Sequence, residues 1–382
     1  MGYGRSLVIE SVSPNRQPPR KGAKEVTLNR RVQGTQGVKA EDNSTIERIV
    51  VMKRLALLCI TVATLLFFSS AAFSAEVVIK AASASAPDSF HGICLYKFKE
   101  LAEKYSNGKI QVNVFMGGSI GSEEDNVQQC STGMLHVSTM AVNNVTPFSP
   151  AVGFMTLPYI FPKLEDAYKL FRSDYVKKDL QELMIKQANV RALAWLVGGY
   201  RVLTNSKKEI FQPADMKGLT IRVPKNEIMI ATYKAWGVNP IPMAWSETFN
   251  ALQQGVVDGQ DNPHIVNSTS KFFEVQKYIT NIHYILWTGP ILASEIWYKK
   301  LPPDIQKVVD RAAQEAAEYE WAYVEQKEGD ALKECLSKGM KIVEPANGEK
   351  EWIEKGRSVW PQFYESVGGK GIVDMVQAVI AK

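Results

Sequence analysis

Short apolar or alternating runs recur along the middle of the chain, each followed by a stretch in which apolar positions return every three or four residues. Val77 to Ala82 reads as a buried strand, and Ser89 to Tyr105 carries helical spacing that stops at Asn107-Gly108. Ile110 to Phe115 alternates as a strand, Gly117-Gly118 turns the chain, and Ser122 to Ser131 opens with a serine cap and acidic residues, as a helix should. Met134 to Met140 is strand-like, Lys163 to Gln187 holds two helical patterns, and Arg191 to Val197 and Tyr200 to Asn205 supply two more strands. The rhythm continues with a strand at Gly218 to Val223, helices at Asn226 to Trp236 and Ser246 to Gln254, and a short strand at Val256-Val257. Two strand-like runs flank Gly289-Pro290 between Ile282 and Tyr298. From Ile305 to about Leu336 apolar residues keep helical spacing (Val309, Ala313, Ala316, Val324), and Pro302-Pro303-Asp304 starts the helix. At ~1.5 Å per residue it would reach roughly 45 Å, enough to run along two domains.

Strands alternating with helices point to α/β units around largely parallel sheets, and about 300 residues of such units need two sheets. Composition agrees: 45% of the 382 residues are apolar and 10% aromatic, ample for a large core. The net charge of +5 is uneven, because residues 1–75 hold 11 Lys/Arg against 5 Asp/Glu and the rest holds 34 against 35. A basic leader on a neutral body removes the warrant for a nucleic-acid partner, which needs a persistent basic face.

The leader itself is readable. Met52-Lys53-Arg54 is a positive start, Leu55 to Phe68 an uncharged apolar run, and Ser69 to Ala75 a string of mostly small residues, the pattern of a cleaved secretory signal over 52–75. The apolar run is shorter than the ~20 residues of a membrane span. Residues 1–51 are polar and aperiodic, and the reading is that they form a non-native or disordered extension ahead of a true start at Met52. Three cysteines follow the signal, Cys94, Cys130 and Cys335, without the spacing of a zinc site; one bridge or three buried thiols are both compatible with an oxidising compartment. Neither a cofactor nor a metal site is expected.

Chemistry is concentrated in two stretches. In Gly218 to Pro224, Leu219, Ile221 and Val223 share one strand face and Thr220 and Arg222 the other. Arg222 therefore stands at a strand's carboxyl end, where open α/β sheets meet their ligands. Its planar fork suits a carboxylate; the plainer reading is a solvated strand arginine. In Ala251 to Pro263, a helix ends, a short strand follows, and Asn262 lies at its exit, either as an amide ligand contact or as a turn residue before proline.

Together these stretches resemble the solute receptors of TRAP transporters, of the DctP type. Phe115 to Ser122 (FMGGSIGS) is similar to that family's F-P-x-G-Q-L-G-S segment, Phe154 to Phe161 to its L-P-F-x-F segment, and Gly199 to Lys207 (GYRVLTNSK) to its R-x-x-T-N-S-K segment. The resemblance implies an α/β, two-domain periplasmic binding protein of Venus-flytrap form, with the long helix spanning both domains. Its domains would take 76–198 plus 290–326 and 199–289 plus 327–382. It also implies a monomeric, periplasmic receptor that captures a small organic acid and delivers it to membrane permease subunits. Arg222 resembles the arginine that pairs with the substrate carboxylate, Asn262 the asparagine that also holds it, and Arg201 a second basic contact. Trp245 falls where the family has an aromatic residue against the ligand, and Glu124 where an acidic or polar contact comes from the opposite domain. Ser85 and Asn143 lie on loops that reach the same cleft.

Met116 and Ser119 depart from the family's Pro and Gln, and create Gly117-Gly118-Ser119-Ile120-Gly121, the G-x-S-x-G pattern of a nucleophile elbow. A serine hydrolase at Ser119 is thus the rival reading, although nothing brings one of His91, His136, His264 or His283, or an acid, to it. A binding protein that feeds a signalling kinase is the other. No catalytic residue is assigned.

Overall fold

The structure is a computed structural model and describes residues 47–58 and 75–381. Residues 47–58 are helical and exposed, whereas most of the polar extension and residues 59–74 of the expected signal segment lie outside the described residues. No helix among the described residues is long and apolar enough to cross a membrane.

Two main sheets organise the rest. The first contains β1 (Val77–Ala82), β2 (Ile110–Phe115), β3 (Val137–Thr139), β4 (Val190–Tyr200) and β10 (Leu286–Ser294), in the order β2-β1-β3-β10-β4. β1 runs parallel to β2 and β3, while β10 lies antiparallel to both β3 and β4, so the sheet is mixed where the pattern suggests a parallel one. The second contains β5 (Val202–Asn205), β8 (Gly259–Asn262), β9 (Tyr278–Thr280) and β11 (Lys341–Val343), in the order β11-β9-β5-β8. A two-stranded pair, β6 (Arg222–Val223) with β7 (Ile241–Pro242), adjoins it through a bridge between Ile221 and Gly259.

Three local readings change. Gly218 to Val223 yields only a two-residue strand; Val256-Val257 lies in a bend and the strand begins at Gly259; the two runs around Gly289-Pro290 form one continuous strand. Pro290 is tolerated there because, of its two neighbours, β4 pairs across an irregular register with shifts at Trp287/Thr288 and Ile291/Leu292. Alternation still governs burial: Leu292 of β10 enters the core on one face, and Ile291 and Ala293 enter the core on the other.

The helices that cover these sheets are α1 (Phe90–Tyr105), α2 (Glu123–Thr132), α3 (Leu164–Arg172), α4 (Gln181–Ala188), α5 (Glu227–Ala235), α6 (Trp245–Gln253), α7 (His264–Thr269), α8 (Glu295–Tyr298), α9 (Pro303–Ser337), α10 (Lys350–Arg357) and α11 (Lys370–Ile380). Ser89 caps α1 by accepting from Gly92 N–H, and Ser122 and Asp125 form a capping box on α2. Helix α9 has 35 residues, so it extends for about 50 Å. It packs against α1 and β4 at the first sheet and against α7 beside the second. Its small residues Ala312, Ala313, Ala316 and Ala317 let it lie close to Phe98 and Leu196. Helix α11 packs on α3, and Val373 and Val376 share a core with Phe154 and Leu170; this end of the expected second domain thus joins the first sheet's core.

Chain passes between the sheets along neighbouring paths. β4 leads into β5 through the single residue Arg201, whose N–H donates to Ile285 O at 2.9 Å, and Ile285 in turn leads into β10. Gly199 sits at this crossing with φ +90°, and a Cβ there would come 3.0 Å from Glu328 Oε1 of α9. Glu328 accepts from the N–H groups of His264 and Ile265 (2.9 Å each), yet burial outweighs both bonds and pushes its pKa up to about 7. The folded protein therefore holds a proton on Glu328 that the unfolded chain has released between about pH 4.5 and 7, so this group's penalty grows as pH rises through that window. Glu328→Gln is expected to gain on the wild type by on the order of 2 kcal/mol between pH 5 and pH 8. Melting temperatures of both proteins across that range measure it, and a gap that stays constant with pH contradicts it.

Candidate functional site

A cavity opens where the carboxyl ends of β1, β6 and β8 face one another between the two sheets. Its wall includes Arg201, Arg222, Asn262, Ser85, Asn143 and Trp245, together with His91, Glu123, Asn144 and Trp287. The structure thus brings six of the seven sequence-predicted residues to one hollow. Glu124 is the exception: it borders a separate hollow beside Lys225 and Asn226, and its neighbour Glu123 faces the cavity. Adjacent helix positions differ by about 100° in direction, which suffices to move a carboxylate from one hollow to another.

Arg222 is 2% exposed. Nε and Nη2 donate to Met243 O at 3.1 and 2.7 Å, which fixes one edge of the guanidinium against the strand that follows. The end-on edge, Nη1 with the second hydrogen of Nη2, keeps two parallel donors for a carboxylate. No salt bridge reaches Arg222 among the described residues, whereas burial and then the nearby Arg201 charge lower its pKa to about 10. It stays protonated at neutral pH, a buried cation without a contacting counter-charge.

Arg201 is differently placed. Its Nε donates to Asp261 Oδ2 at 2.6 Å and its Nη2 to Asp261 O at 2.8 Å, and both side chains are buried. Burial alone would lower its pKa, but the Asp261 carboxylate holds it above the ordinary arginine value. Tyr284 Oη also donates to Asp261 Oδ2. Most of this arginine's fork is therefore spent inside the protein, although the residue still borders the cavity.

Asn262, 3% exposed, is held by a network of neutral amides. Its Nδ2 donates to Gln260 Oε1 at 2.7 Å, Gln260 Nε2 donates to Thr204 Oγ1 (2.9 Å) and Asn267 Oδ1 (3.0 Å), and Asn267 Nδ2 returns to Asn262 O (3.1 Å). From the other side, Asn143 Nδ2 donates to Asn144 Oδ1 at 2.8 Å, and Asn144 and the Ala141 N–H both donate to Glu123 Oε2. Burial pushes the Glu123 pKa up to about 7 in spite of those bonds. Trp245 begins α6, half-buried, with its ring edge-on to Phe272 at 5.7 Å.

Sequence reasoning missed His91, Glu123, Asn144, Val266 and Trp287. His91 had a usable signal, since it interrupts the apolar stripe of α1 formed by Phe90, Cys94, Leu95 and Phe98. Trp287 had none, because only the pairing of β10 with β4 carries it to the cavity. Ser119 is exposed on the turn after β2, and among the described residues its side chain meets no histidine or carboxylate. Cys94, Cys130 and Cys335 are separate buried thiols.

A two-lobed α/β body with a polar, cation-bearing cavity between its sheets defines a solute receptor. The chain belongs to the bacterial extracellular solute-binding protein family 7, the DctP family, whose pattern covers residues 81–366. A solute-binding protein of Roseobacter denitrificans is 32% identical over 277 residues, covering 72% of this chain and 84% of that one. Among solved structures, a TRAP periplasmic solute-binding protein of Polaromonas, bound to D-erythronate, aligns with a TM-score of 0.76 at 28% identity, over 80% of this chain and 100% of that chain. Another, of Sulfurospirillum deleyianum with bound succinate, aligns at 0.75 and 29% over the same shares. The proteins it resembles are binding receptors rather than enzymes, and the two-domain fold is common to them.

Within the cavity wall, Asp261→Asn removes the charge opposite Arg201. Breaking a buried pair from one side costs about 3 to 5 kcal/mol. Urea unfolding should show a loss of that order, and a loss under 1 kcal/mol would mean that Arg201 does not depend on Asp261.

Proposed function

We propose that this protein captures a small organic carboxylate in the cavity between its lobes and delivers it to the membrane subunits of a TRAP transporter. The observation that carries the reading is Arg222: a guanidinium buried at a strand exit with a free donor edge and no contacting carboxylate. Asn262 is the second contact, held ready by Gln260. Arg201 adds positive field beside them, Trp245 an apolar wall, and Ser85 and Asn143 polar contacts from the first lobe. In the opposite-lobe role expected of Glu124, we place Glu123.

The lobes are proposed as 76–198 with 290–326 and 199–289 with 327–382, α11 returning to the first. The ligand enters while the lobes stand apart, and closure excludes water, which strengthens the charged hydrogen bonds. Support for a carboxylate comes from relatives crystallised with D-erythronate and with succinate, both acids. The same reading makes residues 52–75 a cleaved export signal, the mature protein periplasmic and monomeric, and an ion gradient across the permease the driving force.

Truncating one member of a buried charged contact costs about 2 to 5 kcal/mol, so Arg222→Ala should weaken ligand binding roughly 30-fold to several thousand-fold. Arg222→Lys should also bind poorly, because an ammonium cannot offer two parallel donors while still bonding Met243 O. Titration calorimetry tests both variants, and affinity within threefold of wild type for Arg222→Ala removes Arg222 from the site.

A further inference from the structure

Asn226 stands at the start of α5, and its side chain makes bonds in two directions. Oδ1 accepts from Met229 N–H at 2.8 Å, the usual N-cap bond. Capping needs only an acceptor, and serine, threonine or aspartate would supply one. The amide adds donors: Nδ2 donates to Thr146 Oγ1 at 2.9 Å and, at a longer 3.5 Å, to Thr156 Oγ1. Each hydroxyl spends its own proton within its own segment, Thr146 on Asn143 O at 2.7 Å and Thr156 on Gly153 O at 2.8 Å.

On the boundaries proposed above, the two ends of this chain of bonds belong to different lobes. Asn226 follows Arg222 by four residues and Thr146 follows Asn143 by three, and Arg222 and Asn143 both border the cavity. The Asn226–Thr146 bond therefore ties the segment that leaves β6 to the facing loop that carries Asn143. Two residues further on, Ile228 joins the first sheet's core with Val152 and Phe154, an apolar contact across the same seam.

Asn226 is 1% exposed, whereas Thr146 is half-buried, and both border a hollow of about 700 Å³ that is also lined by Glu124, Lys225 and Gln362. Water in that hollow hydrates the amide and the hydroxyl as soon as they part. The bond is thus exchanged for bonds to water, and its net contribution is that of an ordinary hydrogen bond, enough to bias closure without making it irreversible. A contact made in only one of two states shifts the equilibrium between them by its own worth.

We propose that Asn226 is a closure latch, a positioning residue that does not line the cavity yet sets how long the lobes stay shut on a ligand. This rests on the two-lobe reading above and adds to it the bond that closure makes. Asn226→Ser keeps a capping oxygen but is too short to reach either threonine, and Thr146→Val removes the nearer acceptor. The purified full chain would be tested with D-erythronate or succinate as the probe acid, whichever binds more tightly, by stopped-flow tryptophan fluorescence, since Trp245 and Trp287 border the cavity. Asn226→Ser should release the acid between about 2-fold and 10-fold faster than wild type, with association within twofold and the melting temperature of the acid-free protein unchanged. The double variant should release it no faster than Thr146→Val alone, because both substitutions remove the same bond. Release by Asn226→Ser within twofold of wild type, or effects of the two substitutions that multiply, overturns the latch and leaves the carboxylate reading standing. If neither acid binds, the carboxylate reading fails and small-angle scattering of the acid-free proteins tests the latch by itself: Asn226→Ser should have the larger radius of gyration, and equal radii overturn it.

Discussion

A single buried guanidinium without a contacting counter-charge is the constraint around which the site is built. Taking an ion out of water is costly, and the protein meets only part of that cost: Met243 O accepts two hydrogen bonds from Arg222 but carries no negative charge. The like charge on Arg201 adds to that cost, and Asp261, paired with Arg201, offsets part of it. One arginine is thus paired within the fold, and the other keeps an edge of its guanidinium without a partner among the described residues. That division explains why two buried arginines can share a small cavity, and why only one of them has donors to spare.

The same electrostatics ties binding to shape. Wide apart, the lobes would leave Arg222 in contact with water; together, they remove that water and leave the positive charge to be balanced by whatever lies between them. An anion therefore has greater affinity for the closed arrangement, and this difference is all that a ligand can use to shift a two-state equilibrium. The paths that carry such a motion are few. β4 passes into β5 through Arg201 alone, Ile285 hands the chain back into β10 beside it, and Gly199 adopts a φ of +90° where a side chain would meet Glu328. Helix α9 runs as a long strut whose alanine-rich face packs against β4 and which reaches α7 beside the second sheet, alongside the crossing at 199–201 and 285.

How much of this was legible beforehand depended on the range of the interactions involved. Local periodicity found β1, α1, β2 and the long helix, because each is set by its own spacing, helped by the Ser89 cap on α1 and the proline that opens the long helix. Strand-exit reasoning pointed to Arg222 and Asn262, and both border the cavity, although Arg222 opens the two-residue β6 and only Asn262 is the last residue of its strand. Periodicity failed at Val256-Val257, where two β-branched residues occupy a bend and the strand is instead the polar Gly259–Asn262, paired with Val202 to Asn205. Tertiary pairing there overrides β-propensity. His91, Glu123 and Trp287 reach the cavity only through long-range packing, and helix phase separates Glu123 from Glu124.

Glu123 shows how the cavity avoids cancelling its own charge. A carboxylate at the wall could have satisfied Arg222 and abolished the need for a ligand. Instead Glu123 bonds Asn144 and the Ala141 N–H, on its own lobe, and burial raises its pKa to about 7, so it is only part-ionised at neutral pH. Asp261, by contrast, is held through Oδ2 by Arg201 and Tyr284. Glu123 and Asp261 are thus committed elsewhere by hydrogen bonds, while Glu124, whose buried carboxylate makes no hydrogen bond among the described residues, borders a separate hollow. On the proposed reading, selectivity for an anion from outside follows from where the protein's own carboxylates are held.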